Sequence, residues 1–186
     1  MTVHIGAGQR LAHRPTTAFA LRSLISIAIL FATAIVLRHV LAANTDVSWL
    51  LTIGERVLDG QRLYVDVFEV NPPMAVLVYI PGIVIARALE LPVEAVIDGL
   101  IFTAIFVSLA IVARILKNSS VLPGATSWPL APLGFAVLAI LPMQAFGQRE
   151  HIAILELLPL FAVFAVRMVR RSRKASAALS KMRSAT

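Results

Sequence analysis

Apolar residues gather in five blocks along the chain, at 20–36, 74–86, 99–116, 130–146 and 152–169. Blocks of this kind approach the roughly 20 residues needed to cross about 30 Å of hydrocarbon. In the front half, the long polar interval between them is residues 43–73. Inside it, Val47, Leu50, Leu51, Gly54, Val57 and Leu58 recur at helical spacing, which predicts a short amphipathic helix over 47–59 lying in the membrane interface. Asp46 stands where an N-cap belongs and Gly60 where a helix stops, while Trp49 suits an interfacial depth. Asn71-Pro72-Pro73 opens the second block, proline fitting a first helical turn whose N–H groups are free anyway. Pro81-Gly82 predicts a kink within that block. Arg87, Glu90 and Glu94 mark a short turn, and 118–129 reads as a loop on turn chemistry. The fourth block holds Pro132 and Pro142, the sequence GQREH (147–151) interrupts sharply, and the fifth block carries Glu156 and Pro159.

This pattern predicts an all-α fold, a polytopic transmembrane bundle of four or five membrane segments with an interfacial helix in the first outer loop. Residues 1–19 form a cytoplasmic N-terminal segment, 20–169 the transmembrane module with its outer loop at 43–73, and 170–186 a basic cytoplasmic tail. Composition agrees. Hydrophobic residues make up 59% of the 186 and charged residues 15%, where a soluble domain is nearer half and a quarter. No cleavage site follows the first block, so it reads as a retained helix rather than a signal peptide. Cysteine is absent, which removes disulfides and thiol chemistry.

The net charge of +7 is concentrated at the ends. Arg10 and Arg14 precede the first block, and Arg167, Arg170, Arg171, Arg173, Lys174, Lys181 and Arg183 follow the last without an intervening acid. Such flanks stay on the cytoplasmic side beside anionic lipid. The tail lacks interleaved aromatics, so nucleic acid is not its partner class. Two inside termini require an even number of crossings, so one of the five blocks does not cross fully. Arg114 and Lys117 make the third block the expected exception, a re-entrant or tilted element. The outer loop and GQREH then share one face. Arg38 and His39, near the outer end of the first helix, are expected to snorkel to the headgroups.

Ionisable groups at a membrane edge are candidates for chemistry because they are costly there. The 43–73 interval holds Asp46, Glu55, Asp59, Asp66 and Glu69 against Arg56 and Arg62. Asp46 can act as a general base on an acceptor hydroxyl, hold a divalent cation on a lipid phosphate, or simply cap a helix. Asp66 and Glu69 either line the same cavity or are solvated loop charges. Arg56, Arg62 and Arg149 suit a phosphate. Arg149, Glu150 and His151 form an ionisable triplet between two apolar blocks, where a tight turn would also need polar residues. Glu156 either pairs with Arg149 or Arg114 or takes part in chemistry. No His or Cys spacing suggests a zinc site.

The succession of a first helix, TDVSWLLTIGERVLDGQRLYVDVFEVNPPMAVLVYIP and then GQREHIAIL resembles the front part of bacterial GT-C membrane glycosyltransferases. These include the aminoarabinose and galacturonosyl transferases of lipid A and the protein O-mannosyltransferases. The family pattern is an acidic residue after helix one, a short interfacial helix, a G-x-x-L-Y-x-D element and proline at the start of helix two. Those features match Asp46, residues 47–59, Gly60 to Asp66, and Pro72-Pro73. The resemblance implies sugar transfer from a polyprenyl-phosphate donor to an envelope lipid or polysaccharide acceptor on the outer face of a bacterial inner membrane. It implies Asp46 as the catalytic base, with inversion at the anomeric carbon. Arg149 and Arg62 would hold donor phosphate, and Asp66, Glu150 and His151 would line the substrate site, with a divalent cation as an optional cofactor. Family members usually have ten or more helices, which implies a fragment or one half of a split enzyme completed by a second membrane chain. The alternative is a non-catalytic membrane subunit or scaffold.

Overall fold

The computed structural model describes residues 17–41, 44–117, 119, 121 and 130–183. The expected N-terminal segment up to residue 16, most of the 118–129 loop and residues 184–186 lie outside the described residues. Every regular element among those described is helical: α1 (Thr17–Leu41), α2 (Thr45–Leu58), α3 (Pro73–Leu77), α4 (Ile80–Leu89), α5 (Val93–Lys117), α6 (Leu130–Ala139) and α7 (Arg149–Arg183), with a 3-10 turn at Met143–Ala145. Three of them, α1, α5 and α7, are long and apolar enough to cross a membrane. The chain is therefore a helical membrane protein.

Contacts between the long helices give their directions. Phe31 of α1 meets Phe102 edge-on at 5.2 Å, while Arg38, two turns further along α1, binds Asp98 near the start of α5. The two helices run antiparallel. Phe102 meets Phe146 at 5.1 Å, and deeper in the bundle the Ser108 hydroxyl donates to the Leu155 carbonyl at 2.8 Å, so α5 and α7 run the same way. Phe135 of α6 completes the aromatic core, 5.1 Å from Phe106. The chain thus leaves α1 and enters α5 at the same end of the bundle. Everything between them begins and finishes on that side.

This corrects which block fails to cross. It is the second block, 74–86, and not the third. The kink expected at Pro81 is present: Pro81 has no N–H for the Leu77 carbonyl, and the helical run pauses over Val78 and Tyr79, both still right-handed, between α3 of five residues and α4 of ten. Together they run from Pro73 to Leu89, about 25 Å at 1.5 Å per residue, short of about 30 Å. The third block, by contrast, is the uninterrupted 25-residue α5, with Arg114 and Lys117 in its last turn. Those basic residues close a complete crossing instead of marking a turn back. The start of α1 and the end of α7 lie at the same end of the bundle.

The second block instead builds an outer layer with α2. Helix α2 is amphipathic and buries Val47, Leu50, Leu51, Ile53 and Gly54. Against it lie Val76, Tyr79 and Ile83. Gly82 lets α4 settle directly onto α5, where an added Cβ would force the Ile97 side chain to shift and press on Leu100. Arg87 bridges the far ends of α2 and α4, donating to Asp59 at 2.8 Å and to the Glu55 carbonyl at 3.1 Å.

Two further boundaries differ from expectation. The fourth block is not one helix: α6 stops at Ala139, and the chain turns through Pro142 and Met143, the latter at φ 51°. The expected basic tail is continuous with the last span, because α7 runs for 35 residues, roughly 52 Å at 1.5 Å per residue. Its Ala, Ser, Lys and Arg residues beyond 169 oppose no helix.

Candidate functional site

Three helix starts, those of α2, α3 and α7, converge beside the outer layer. Asn44 caps α2, its backbone extended at ψ 144° and its Oδ1 accepting the Asp46 N–H at 2.8 Å. Asp46 was expected to be the cap. The helix begins two residues earlier than that reading allows, so the asparagine takes the cap and the aspartate carboxylate is released. An acid in the first turn suits the positive end of the helix dipole.

The released carboxylate meets Arg149, 103 residues away, with Nη2 to Oδ2 at 3.4 Å. Arg149 is the first residue of α7, so the GQREH corner is shorter than expected. Only Gly147 and Gln148 lie outside the helix, and Gln148 accepts the first helical N–H from Ile152 at 3.0 Å. The other arm of the guanidinium donates to Asn71 Oδ1 at 2.8 Å, and Glu150 Oε1 stands 3.9 Å from Nη2. Its buried Nε has no partner among the described residues.

Asn71 is fixed by Glu69. Glu69 Oε1 accepts the Asn71 N–H and side-chain amide, each at 2.7 Å, and the Val70 N–H at 2.8 Å, while Oε2 accepts the Trp49 indole N–H at 2.9 Å. Burial alone pushes the Glu69 carboxyl up, but the bonds from Asn71, Trp49 and Val70 outweigh it and hold it below the ordinary glutamate value. A continuous line of bonds therefore runs from Trp49 through Glu69, Asn71 and Arg149 to Asp46.

Behind Arg149 the corner is pinned from two sides. Gly147 adopts φ +79°, a left-handed conformation that favours glycine. The Tyr79 hydroxyl donates to its carbonyl at 2.8 Å, and its N–H donates to His151 Nδ1 at 3.1 Å. His151 is buried with its ring against Phe146. It was expected to line the substrate site; it shapes the turn instead. Arg38 also departs from expectation. Rather than snorkelling to headgroups, its guanidinium lies 4.7 Å from the Phe146 ring centre and Nε donates to both Asp98 oxygens, at 3.0 and 3.2 Å.

Arg62 and Asp66 are not brought to Arg149. Asp66 accepts the Arg62 backbone N–H at 2.8 Å and its side chain at 3.1 Å, closing an exposed turn in which the bonds from Arg62 hold the Asp66 carboxyl below its usual value. That turn reaches the site only through Tyr64, whose hydroxyl donates to the Asn71 carbonyl.

Beside the Asp46–Arg149 pair lies a groove of about 380 Å³ between the starts of α3 and α7. Arg149, Glu150 and Glu156 line it together with Pro72, Met74, Ala75, Val78, Ile152 and Ala153. Glu156 pairs with neither Arg149 nor Arg114 among the described residues. No three His, Asp or Glu residues gather there as a metal-ion cluster. The roles of Asn71 and Trp49 were not foreseen; the asparagine directly before paired prolines was the available signal for the first. No family model, curated protein or solved structure matches this chain.

Proposed function

We propose that the chain is a membrane glycosyltransferase, or one part of such an enzyme. It moves a sugar from a polyprenyl-phosphate donor to an envelope lipid or polysaccharide acceptor at the outer face of a bacterial inner membrane, with both termini cytoplasmic. The observation that carries this reading is the meeting of Asp46 with Arg149, itself a lining residue of the groove between α3 and α7.

The chemistry needs a base and an anion holder within one substrate's reach. Asp46 takes the proton from an acceptor hydroxyl, and the acceptor oxygen attacks the anomeric carbon from the face opposite the phosphate. The bond from that carbon to the phosphate oxygen breaks, the configuration inverts, and the polyprenyl phosphate leaves with the electron pair. Arg149 holds the charge that develops on it, through a fork that suits phosphate oxygens. In the resting structure the two groups face each other. A donor phosphate competes for the guanidinium and so uncovers the carboxylate.

Asp46→Asn tests the reading. Transfer of labelled sugar from a polyprenyl-phosphate donor should fall by at least about a hundredfold, within the range for a lost general base, with membrane insertion unchanged. Undiminished transfer removes Asp46 from the mechanism. The second reading is a non-catalytic subunit, favoured by the apolar outer surface of α1, where Leu21, Leu24, Ile25 and Ile29 are all half exposed or more. Under it, Asp46→Asn leaves the assembled complex fully active.

A further inference from the structure

Glu156 lies seven residues along α7 from Arg149, about 10 Å down the axis at 1.5 Å per residue. The helix around it is a candidate membrane span. Its side chain is exposed and has no hydrogen-bond or ion-pair partner among the described residues. A lone carboxylate is costly at that depth, and intramembrane acids pair with a cation or a hydrogen-bond donor. Ala153 and Leu160, three residues before it and four after, are exposed on the same helix face. Across the groove α3 presents Ala75. Small residues let a further helix approach closely, and a polar side chain among them holds it in register.

We infer that this groove seats a transmembrane helix of a second, different chain, and that this helix carries a lysine or arginine level with Glu156 and paired to it. The inference rests on the reading of the chain as one part of an enzyme. A further copy of this chain does not supply the cation. No lysine or arginine lies between Arg22 and Arg38 in α1, between Asp98 and Arg114 in α5, or between Arg149 and Arg167 in α7. At the outer end, Arg38 and Arg149 are already engaged by Asp98 and Asp46. Arg22, Arg114 and Arg167 lie toward the opposite end of the bundle. Because Arg149 lines the same groove, the second chain borders the Asp46–Arg149 pair.

Two synthetic alanine–leucine helices test this, each long enough to span the bilayer. They are identical except for lysine or leucine at the depth of Glu156. The full chain, labelled at Ser119→Cys, is reconstituted with each peptide in phosphatidylcholine vesicles, and association is read by energy transfer. The lysine peptide should associate about tenfold more tightly, the worth of one interhelical polar contact. Glu156→Leu should erase the difference, and Glu156→Gln, which keeps an acceptor oxygen without the charge, should leave part of it. Equal association of the two peptides with the wild type overturns the inference. So does a preference that survives Glu156→Leu, or one that persists when the lysine is moved to the cytoplasmic half of the peptide. Failure of the transferase reading looks different: Asp46→Asn leaves sugar transfer unchanged although the lysine preference is intact.

Discussion

At the scale of single residues, the site depends on the two-armed geometry of Arg149. Its two terminal nitrogens serve Asn71 and Asp46 at once. Lysine carries the charge but not the fork. Arg149→Lys should therefore keep the protein folded while lowering kcat/KM for the donor by about tenfold or more, with kcat itself reduced because the lost fork serves the departing phosphate; steady-state kinetics at varied donor concentration checks this. Glu69 supports a pH prediction. Its folded value lies below the ordinary 4.5, so its contribution to stability is complete above that value and is lost as pH falls through the folded one. Melting of the wild type should weaken below about pH 4.5, whereas Glu69→Gln, costing about 1–3 kcal/mol at neutral pH through its disturbed donors, should weaken less on acidification. Thermal unfolding from pH 3 to 7 distinguishes the two. Asp46 and the Arg-Glu-His triplet were legible as candidates because charged residues are rare beside apolar blocks. Which of them face one another was not, since the pairing spans 103 positions. Arg62 and Asp66 were misjudged for the converse reason: their spacing of four fits a local pair as well as a ligand site.

At the scale of elements, the corner before α7 is what aims Arg149. Gly147→Ala should cost about 1–2 kcal/mol from the left-handed backbone alone, because a Cβ there meets nothing within 4 Å. Tyr79→Phe should cost about 1 kcal/mol by orphaning the Gly147 carbonyl. Both variants should lose more activity than stability, since each lets Arg149 drift from Asp46; parallel melting and transfer measurements check the disproportion. The α1–α5 contact behaves differently. Arg38 and Asp98 are largely buried, with side-chain exposures of 10% and 24%. Removing one partner leaves the other charge stranded, so Arg38→Met should cost about 3 kcal/mol, and the added Asp98→Leu should recover much of it. A double-mutant cycle in detergent measures the recovery. Helix positions were readable from periodicity and from proline and glycine. The Arg38 partner was not, because an arginine near a helix end looks the same whether it reaches for water or for a carboxylate on another helix.

At the scale of the whole molecule, charge counting required an even number of crossings, but the non-crossing element was assigned to the wrong block. Composition does not separate the second block from the third, as both are apolar. What separates them is length: the second block's helical run, kinked at Pro81, ends after Leu89, while the other continues for 25 residues with its basic pair at the far end. The consequence is testable because the native chain contains no cysteine. Single cysteines at Gln61 and Leu91, both exposed, flank α3 and α4; one at Ser119 lies just beyond the opposite end of α5. If residues 42–92 stay on one side, a membrane-impermeant maleimide should label Gln61→Cys and Leu91→Cys with the same sidedness. Ser119→Cys should show the opposite sidedness and label only after the membrane is opened. Labelling of Leu91→Cys together with Ser119→Cys would instead place 74–86 across the bilayer. Asp46 and Arg149 would still share a face, but α5 rather than 74–86 would be the element that fails to cross, against its antiparallel run beside α1.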